Sequence, residues 1–317
     1  MESKQFQRLI EQLGELSAVQ RAALVEAVQG GQPANEAIAL IETRFAAAPA
    51  CGHCGSTVFG QWGRASGLKR FICKADGCGR TFNALTGTPL AQLHRRDAWL
   101  DYARALDDGI SLRKAAVRCA IDLTTSFRWR HRFLEAAREA KPAKVEGIVE
   151  ADETFFLWSV KGSRRLVGRA PRKRGSKAKK PGTSDEYAAV LIVRDRHGAT
   201  TDARLPDLLG GTIKAFLRPV VARDALLVSD GAKVYGSFAR EIGIAHKAVV
   251  AAHGVHVVEG LYHIQNVNAY MSRLKGWMAR FNGVATKYLP SYLGWRRTIE
   301  REAKRLTPQR WIVCALD

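Results

Sequence analysis

The sequence predicts a multidomain α/β protein: N-terminal helices, a metal-bound cysteine ribbon, a helix-turn-helix, and then an α/β domain filling the second half. Three observations carry this. Four cysteines gather within residues 51–78, amphipathic helical patterns run to about residue 140, and apolar strand patterns then alternate with helical ones. At 317 residues the chain is long enough for two or three domains, the largest with a core of its own.

Composition narrows the class. Lys and Arg number 50 against 30 Asp and Glu, a formal net charge of +20. Such an excess repels itself in a compact state, and a polyanionic partner is the usual reason to keep it. The 46% hydrophobic content excludes a disordered basic tail. No apolar stretch approaches the roughly 20 residues that span a bilayer, and the opening MESKQFQRLIEQ has no apolar signal core, so the expected compartment is the cytosol. The basic residues are not gathered on one amphipathic helix, which argues against a membrane partner.

Residues 1–48 read as helical: Phe6, Leu9, Ile10 and Leu13 follow the i, i+3, i+4 rule, and Ser17 can cap a second helix holding Leu24, Val25 and Val28. Residues 49–92 carry Cys51, Cys54, Cys73 and Cys78 with the spacing C-x2-C, 18 residues, C-x4-C. Two such knuckles can bring four thiolates around one tetrahedral Zn2+, and four protein ligands make that zinc structural. Glycines 52, 55, 77 and 79 allow the tight turns. Cys119 and Cys314 stand apart as lone thiols.

Residues 93–141 fit a helix-turn-helix: Ser111 caps one helix, Ile121-Asp122-Leu123 makes the turn, and the next helix starts at Thr124 or Thr125. Trp129 and Phe133 anchor that last helix, which leaves Arg128, Arg130 and Arg132 for other faces, where DNA phosphates or a groove could sit. Lys141-Pro142-Ala143 is the expected boundary before an α/β domain at 145–317. Strands are expected at 147–158, 187–195, 200–205, 224–230 and 244–250, and helices around 211–218, 233–242 and 263–281.

Acids interrupt the apolar strands of this domain. Period two puts Glu150, Asp152 and Thr154 on one face of the first strand and Glu153 on the other. Asp230 stands just past the apolar Leu226-Leu227-Val228, where ligand sites form in α/β sheets. Two carboxylates converging from separate strands suit a pair of Mg2+ ions. On the helix at 263–281, Ile264, Val267, Met271, Leu274, Met278 and Phe281 form an apolar stripe, with Asn268, Ser272 and Lys275 aligned beside it. Asn268 and Lys275 lie about 10 Å apart along the axis, a spacing that suits a metal-bound phosphodiester. The segment Lys161–Lys180 holds ten Lys or Arg, including Arg172, Lys173 and Arg174, and no acid; a loop of this kind can grip DNA.

The segments V-E-A-D-E-T-F-F, L-V-S-D-G and H-I-Q-N-V-N-A-Y-M-S-R-L-K-G-W-M resemble the zinc-ribbon insertion-sequence transposases, the ISXO-like group of insertion-sequence family 1595. Upstream C-G-H-C and C-K-A-D-G-C-G-R-T-F-N-A-L-T-G-T-P-L, and downstream Tyr292-Leu293-Gly294-Trp295-Arg296, are similar to the same group, so the match covers most of residues 50–297. The resemblance implies a ribonuclease-H-like catalytic domain that nicks element ends and joins their 3' ends to target DNA with Mg2+ or Mn2+. Its partners would be double-stranded DNA, as terminal repeats and target, and further copies of the chain; its place would be the bacterial cytosol, with the nucleoid. By position, Asp152, Asp230 and Asn268 match the three metal-binding residues and Lys275 the basic residue seven positions on; Glu150, which the resemblance does not assign, is read as an acid that supports them. Many relatives have Glu where this chain has Asn268; the Asp-Asp-Asn set is a known variant. A neutral Asn leaves the site one negative charge short, so metal affinity leans on the DNA phosphate. The C-x4-C knuckle is looser than the usual C-x2-C, and Glu259 is a further acid nearby. A catalytically decayed, transposase-derived DNA-binding protein and a nuclease that cuts without joining are the alternative readings.

Overall fold

The computed structural model describes residues 3–163, 166, 175, 178–180, 183–250 and 254–317. The chain is mixed α/β and divides into two compact units: residues 1–108, 112–133 and 306–317 form one, residues 109–111 and 134–305 the other. No helix among the described residues is long and apolar enough to cross a membrane.

The first unit opens with α1 (Ser3–Leu13) and α2 (Ala18–Ala47). Ser17 caps α2 as expected: its hydroxyl accepts from the Gln20 amide at 3.2 Å, and the Gln20 side chain accepts from the Ser17 amide at 2.9 Å. The side chains of Phe6, Leu9, Val25 and Val28 lie outside the described residues. A three-stranded antiparallel sheet follows, β1 (Phe59–Ala65), β2 (Leu68–Cys73) and β3 (Thr81–Asn83). Phe59, Phe71 and Phe82 from these strands and Phe45 from α2 form its small core, with ring centroids 5.1–6.2 Å apart.

Three further helices follow, α3 (Trp99–Asp107), α4 (Leu112–Arg118) and α5 (Leu123–Phe133); α3 and α5 pack through Trp99, Tyr102, Trp129 and Phe133, and α4 buries Ala115 and Ala116. Trp129 and Phe133 therefore anchor α5, one turn apart on one face. The chain's last helix, numbered α11 below (Pro308–Leu316), returns to this unit, buries Trp311 and packs on α2, α3 and α5.

The second unit begins with α6 (Glu135–Glu139) and is built on a five-stranded sheet: β4 (Ile148–Leu157), β5 (Tyr187–Asp195), β6 (Thr200–Arg204), β7 (Leu226–Ser229) and β8 (Ala245–Ala248). The spatial order is β6-β5-β4-β7-β8; β4, β5 and β6 run as an antiparallel meander, while β7 and β8 lie parallel to β4. The parallel connections run through α7 (Gly210–Val220) and α8 (Lys233–Ile242). Val149 and Ala151 of β4 point into one core with Ile213 and Leu217 of α7 and Tyr235 and Phe238 of α8. Alternation turns Glu150, Asp152 and Thr154 to the opposite face, which α9 (Gln265–Ala279) covers along β4 and β5. Val267, Met271, Leu274 and Met278 form the buried stripe of α9.

The next helix, α10 (Leu289–Glu302), packs on β6 and α6. Its approach to α6 requires a glycine: a Cβ on Gly294 would stand 2.4 Å from the Ala137 carbonyl oxygen. Beside that crossing the buried Arg297 pairs with the buried Asp202 of β6 and donates to the Arg138 carbonyl at 2.9 Å. A buried ion pair of this kind is stable only when both charges are answered.

Candidate active site and metal centre

The four cysteines meet in space. The ligand atoms of Cys51, Cys54, Cys73 and Cys78 all lie within 4.8 Å of one another. Cys54 and Cys73 sulfurs are 3.6 Å apart, and those of Cys51 and Cys78 are 3.9 Å apart. These separations are far beyond a disulfide bond. They match the edges of a tetrahedron with Zn–S near 2.3 Å, which are about 3.8 Å. The turns are made by backbone bonds, Gly55 amide to Cys51 carbonyl at 2.8 Å and Cys78 amide to Ala75 carbonyl at 3.1 Å. Gly55 sits at φ +77°, a left-handed turn position that favours glycine. Burial pushes the Cys51 thiol up, but the amides of His53 and Cys54 and the neighbouring thiols bring it down to about 7, toward the thiolate that a metal needs. The His53 ring bonds the Thr81 carbonyl at 3.2 Å, outside the sulfur cluster.

In the second unit, strand register brings the acids together. The parallel pairing of β4 with β7 runs Glu150 with Val228 and Ala151 with Ser229. One step further along the same register are Asp152 and Asp230, on adjacent strands that lie about 4.8 Å apart. Asp230 directly follows the last residue of β7 and accepts the Ala232 amide at 3.0 Å. Burial, with the neighbouring charges of Glu153 and Asp230, raises Asp152 to about 6, against the pull of the Glu153 amide and the Lys275 ammonium. Negative charge is thus crowded where β7 ends beside the middle of β4, the condition a cation relieves. Two hard carboxylates and an amide carbonyl are suitable ligands for Mg2+ or Mn2+. Among the described residues the four cysteines are the one group of three or more Cys, His, Asp or Glu side chains gathered this closely.

Asn268, Ser272 and Lys275 are all exposed on α9, beside its buried stripe. The field of Lys275 reaches Asp152. Glu259 pairs with Lys247. Glu153, for which the sequence offered only a place on the other face, is also part of the acidic group. Its Oε1 accepts the Tyr235 hydroxyl at 2.7 Å, and burial and then Asp230 raise its carboxyl, with Tyr235 opposing. The acidic pair Asp152-Glu153 was the available signal; Tyr235, 82 positions away, was not. Glu150 is fully buried and hydrogen-bonded to the start of α9.

The three arginines of α5 do not share one role. Arg128 is exposed. Arg130 is fully buried beside the Tyr102 hydroxyl, so it does not present a charge to a duplex. Arg132 is half-buried and donates to the backbone carbonyls of Pro89 and, at 3.1 Å, Ala91. Burial thus removes Arg130 from the three arginines expected to be open to DNA, and of the three Arg128 alone is exposed. Arg172, Lys173 and Arg174 lie outside the described residues.

No curated protein matches the chain. Solved structures that align with it include a pre-cleavage Mos1 transpososome, at 12% identity over 68% of this chain and 76% of that one, TM-score 0.21. A Mos1 strand transfer complex aligns at 14% identity over 71% and 79%, also with TM-score 0.21. A TM-score of 0.21 is too low for either likeness to bear on fold or function. Residues 144–296 match the family model of the ISXO2-like transposase domain. That span holds the sheet, α7 to α9 and most of α10, together with Asp152, Asp230, Asn268 and Lys275. Over residues 144–296 the chain carries an ISXO2-like transposase domain, the domain of insertion-sequence family 1595.

Proposed function

We propose that the chain is a DNA transposase whose catalytic centre is formed by Asp152, Asp230 and Asn268, with Lys275 beside them. The observation that carries this is the β4–β7 register, which sets Asp152 next to Asp230 within a transposase domain. In this reading residues 145–317 contain a ribonuclease-H-like core. Residues 49–92 are a zinc ribbon and residues 93–141 a helix-turn-helix, which together recognise the element's terminal repeats; α4 and α5 are its two helices. Mg2+ or Mn2+, when bound at the acids, supplies Lewis acidity to the phosphodiester and the attacking hydroxyl.

The chain's own groups hold the reactants. Asp152 and Asp230 offer carboxylate oxygens from adjacent strands, and Asn268 offers a neutral carbonyl from α9. The Lys275 ammonium, about 10 Å further along that helix, meets a DNA phosphate. In the first step water oxygen bonds to phosphorus at the element's end, the P–O3' bond breaks, and the 3' oxygen leaves with a proton. In the second, that 3'-hydroxyl gives up its proton and bonds to a target phosphorus, and the target's own 3' oxygen leaves protonated. The net charge of +20 supports a DNA partner, and assembly on paired ends calls for more than one copy.

The test is a nicking and joining assay on duplex carrying the native flanking ends, with Mg2+ or Mn2+. Joined product from the wild type and none from Asp230→Ala supports the proposal. Nicks without joining would make the chain a nuclease. Binding without cutting by either protein would make it a DNA-binding relic, the alternative in which Asn268 marks a decayed site.

A further inference from the structure

We infer that Glu150 is the positioning residue for Asn268: its buried carboxylate pins the first turn of α9 to β4, which fixes where Asn268 stands relative to Asp152. This rests on the transposase reading above and adds a role to it.

The geometry is specific. Glu150 is 0% exposed and lies two residues before Asp152 on the same face of β4. Its Oε2 accepts the Val267 amide at 2.9 Å, and its Oε1 accepts the Asn266 side-chain amide at 2.8 Å. The amides in the first turn of a helix have no partner within that helix. In α9 the first amide bonded back along the chain at the i−4 position is that of Asn268, to the Ile264 carbonyl at 3.1 Å; the amide before it, Val267, is bonded to Glu150. A carboxylate at this end also meets the positive pole of the helix.

A buried charge needs a cationic answer as well, here the Arg196 guanidinium, with the His263 ring beside it. Arg196 Nε stands 3.3 Å from Glu150 Oε1, and the His263 ring 3.5 Å from it. Arg196 also bonds His263 at 2.8 Å and donates to the Leu261 carbonyl at 3.1 Å. One carboxylate thus gathers the approach to α9, its first turn and the end of β5 around a single point. Asn268 is the residue directly after the pinned amide. A carbonyl ligand without charge has little attraction of its own to draw it to a cation, so its placement must come from the scaffold.

Glu150→Gln keeps the size of the side chain but replaces one acceptor oxygen with a donor. In the full-length protein, hydrogen exchange of the 264–268 segment is expected to quicken at least about tenfold, with 190–193 of β5 unchanged. The Mn2+ concentration giving half-maximal nicking is expected to rise about 10- to 100-fold, with excess Mn2+ recovering much of the rate. Unchanged exchange would overturn the pin. Faster exchange with an unchanged Mn2+ requirement would reduce Glu150 to a fold stabiliser and overturn the positioning role. If the wild type itself does not nick, the transposase reading falls and takes the positioning role with it, while exchange still reports on the pin. Should Glu150→Gln not fold, Asn266→Ala removes one bond to the same carboxylate and is expected to shift both readouts the same way by a smaller factor.

Discussion

Tyr235 of α8 donates its hydroxyl to Oε1 of Glu153 at 2.7 Å, on the face of the sheet opposite to Glu150 and Asp152. The acidic stretch of β4 is therefore held from both sides, by a phenol on one and by the start of α9 on the other.

The phenol carries a direct expectation. Tyr235→Phe keeps the ring, which is fully buried, and leaves the Glu153 carboxyl without that donor. Loss of a hydrogen bond to a charged acceptor costs about 1.5–3 kcal/mol. Urea unfolding at neutral pH should show a loss of that order, and equal stability of the two proteins would mean that Glu153 is answered elsewhere.

Asp152 makes the metal-free fold pH-dependent. Its native value of about 6 lies above the ordinary 3.8, so the native state holds this proton more tightly than the unfolded chain does. That contribution is fully present below about pH 4 and is lost as pH rises through about 6. At pH 8 with a chelator, the ionised carboxylate weakens the fold. After allowance for its partial contact with solvent, Asp152→Asn should raise stability by about 1–2 kcal/mol. The gain should vanish near pH 4, and added Mg2+ should raise the Tm of the wild type more than that of the variant. A gain that grows toward acid pH would mean that the sign of the shift is wrong.

The sulfur cluster predicts one zinc per chain. Elemental analysis of the wild type should find it, and Cys73→Ser, which removes a buried ligand, should lose it. The same variant should become open to protease within residues 49–92. Full zinc content in Cys73→Ser would show that the four sulfurs are not its ligands.

Much of the second unit was legible because each element states its own period. The apolar run at 187–195 is β5 over the same residues, and the helix expected at 233–242 is α8. Ser17 could be read as a cap from its own side chain and Gln20. The acids were legible for a similar reason, because a charge in an apolar strand is conspicuous.

The arginines of α5 show where the reading stopped short. Ser126, Trp129, Arg130 and Phe133 are the buried positions of that helix, at i, i+3, i+4 and i+7. Arg130 thus lies on the apolar stripe by spacing alone, and its charge masked that signal. Arg132 could not be placed from the sequence, because its carbonyl partners are 41 and 43 residues away. The surroundings of Glu150 are as distant: Arg196, His263, Asn266 and Val267 come from separate stretches, and only the folded sheet joins them. Likewise, nothing in the apolar pattern of α11 says that it packs on α2, α3 and α5.

The most direct test of the central claim is the Mg2+-dependent nicking rate of Asn268→Ala against the wild type, on duplex carrying the native ends. Asn268 is exposed, so its side chain can be removed with little effect on the fold. If the Asn268 carbonyl completes the set begun by Asp152 and Asp230, the variant should lose about 100-fold or more in rate, while DNA binding and thermal stability stay close to wild type. An unchanged nicking rate would contradict the account, because the helix would then contribute no ligand and the centre would have to be built from other groups.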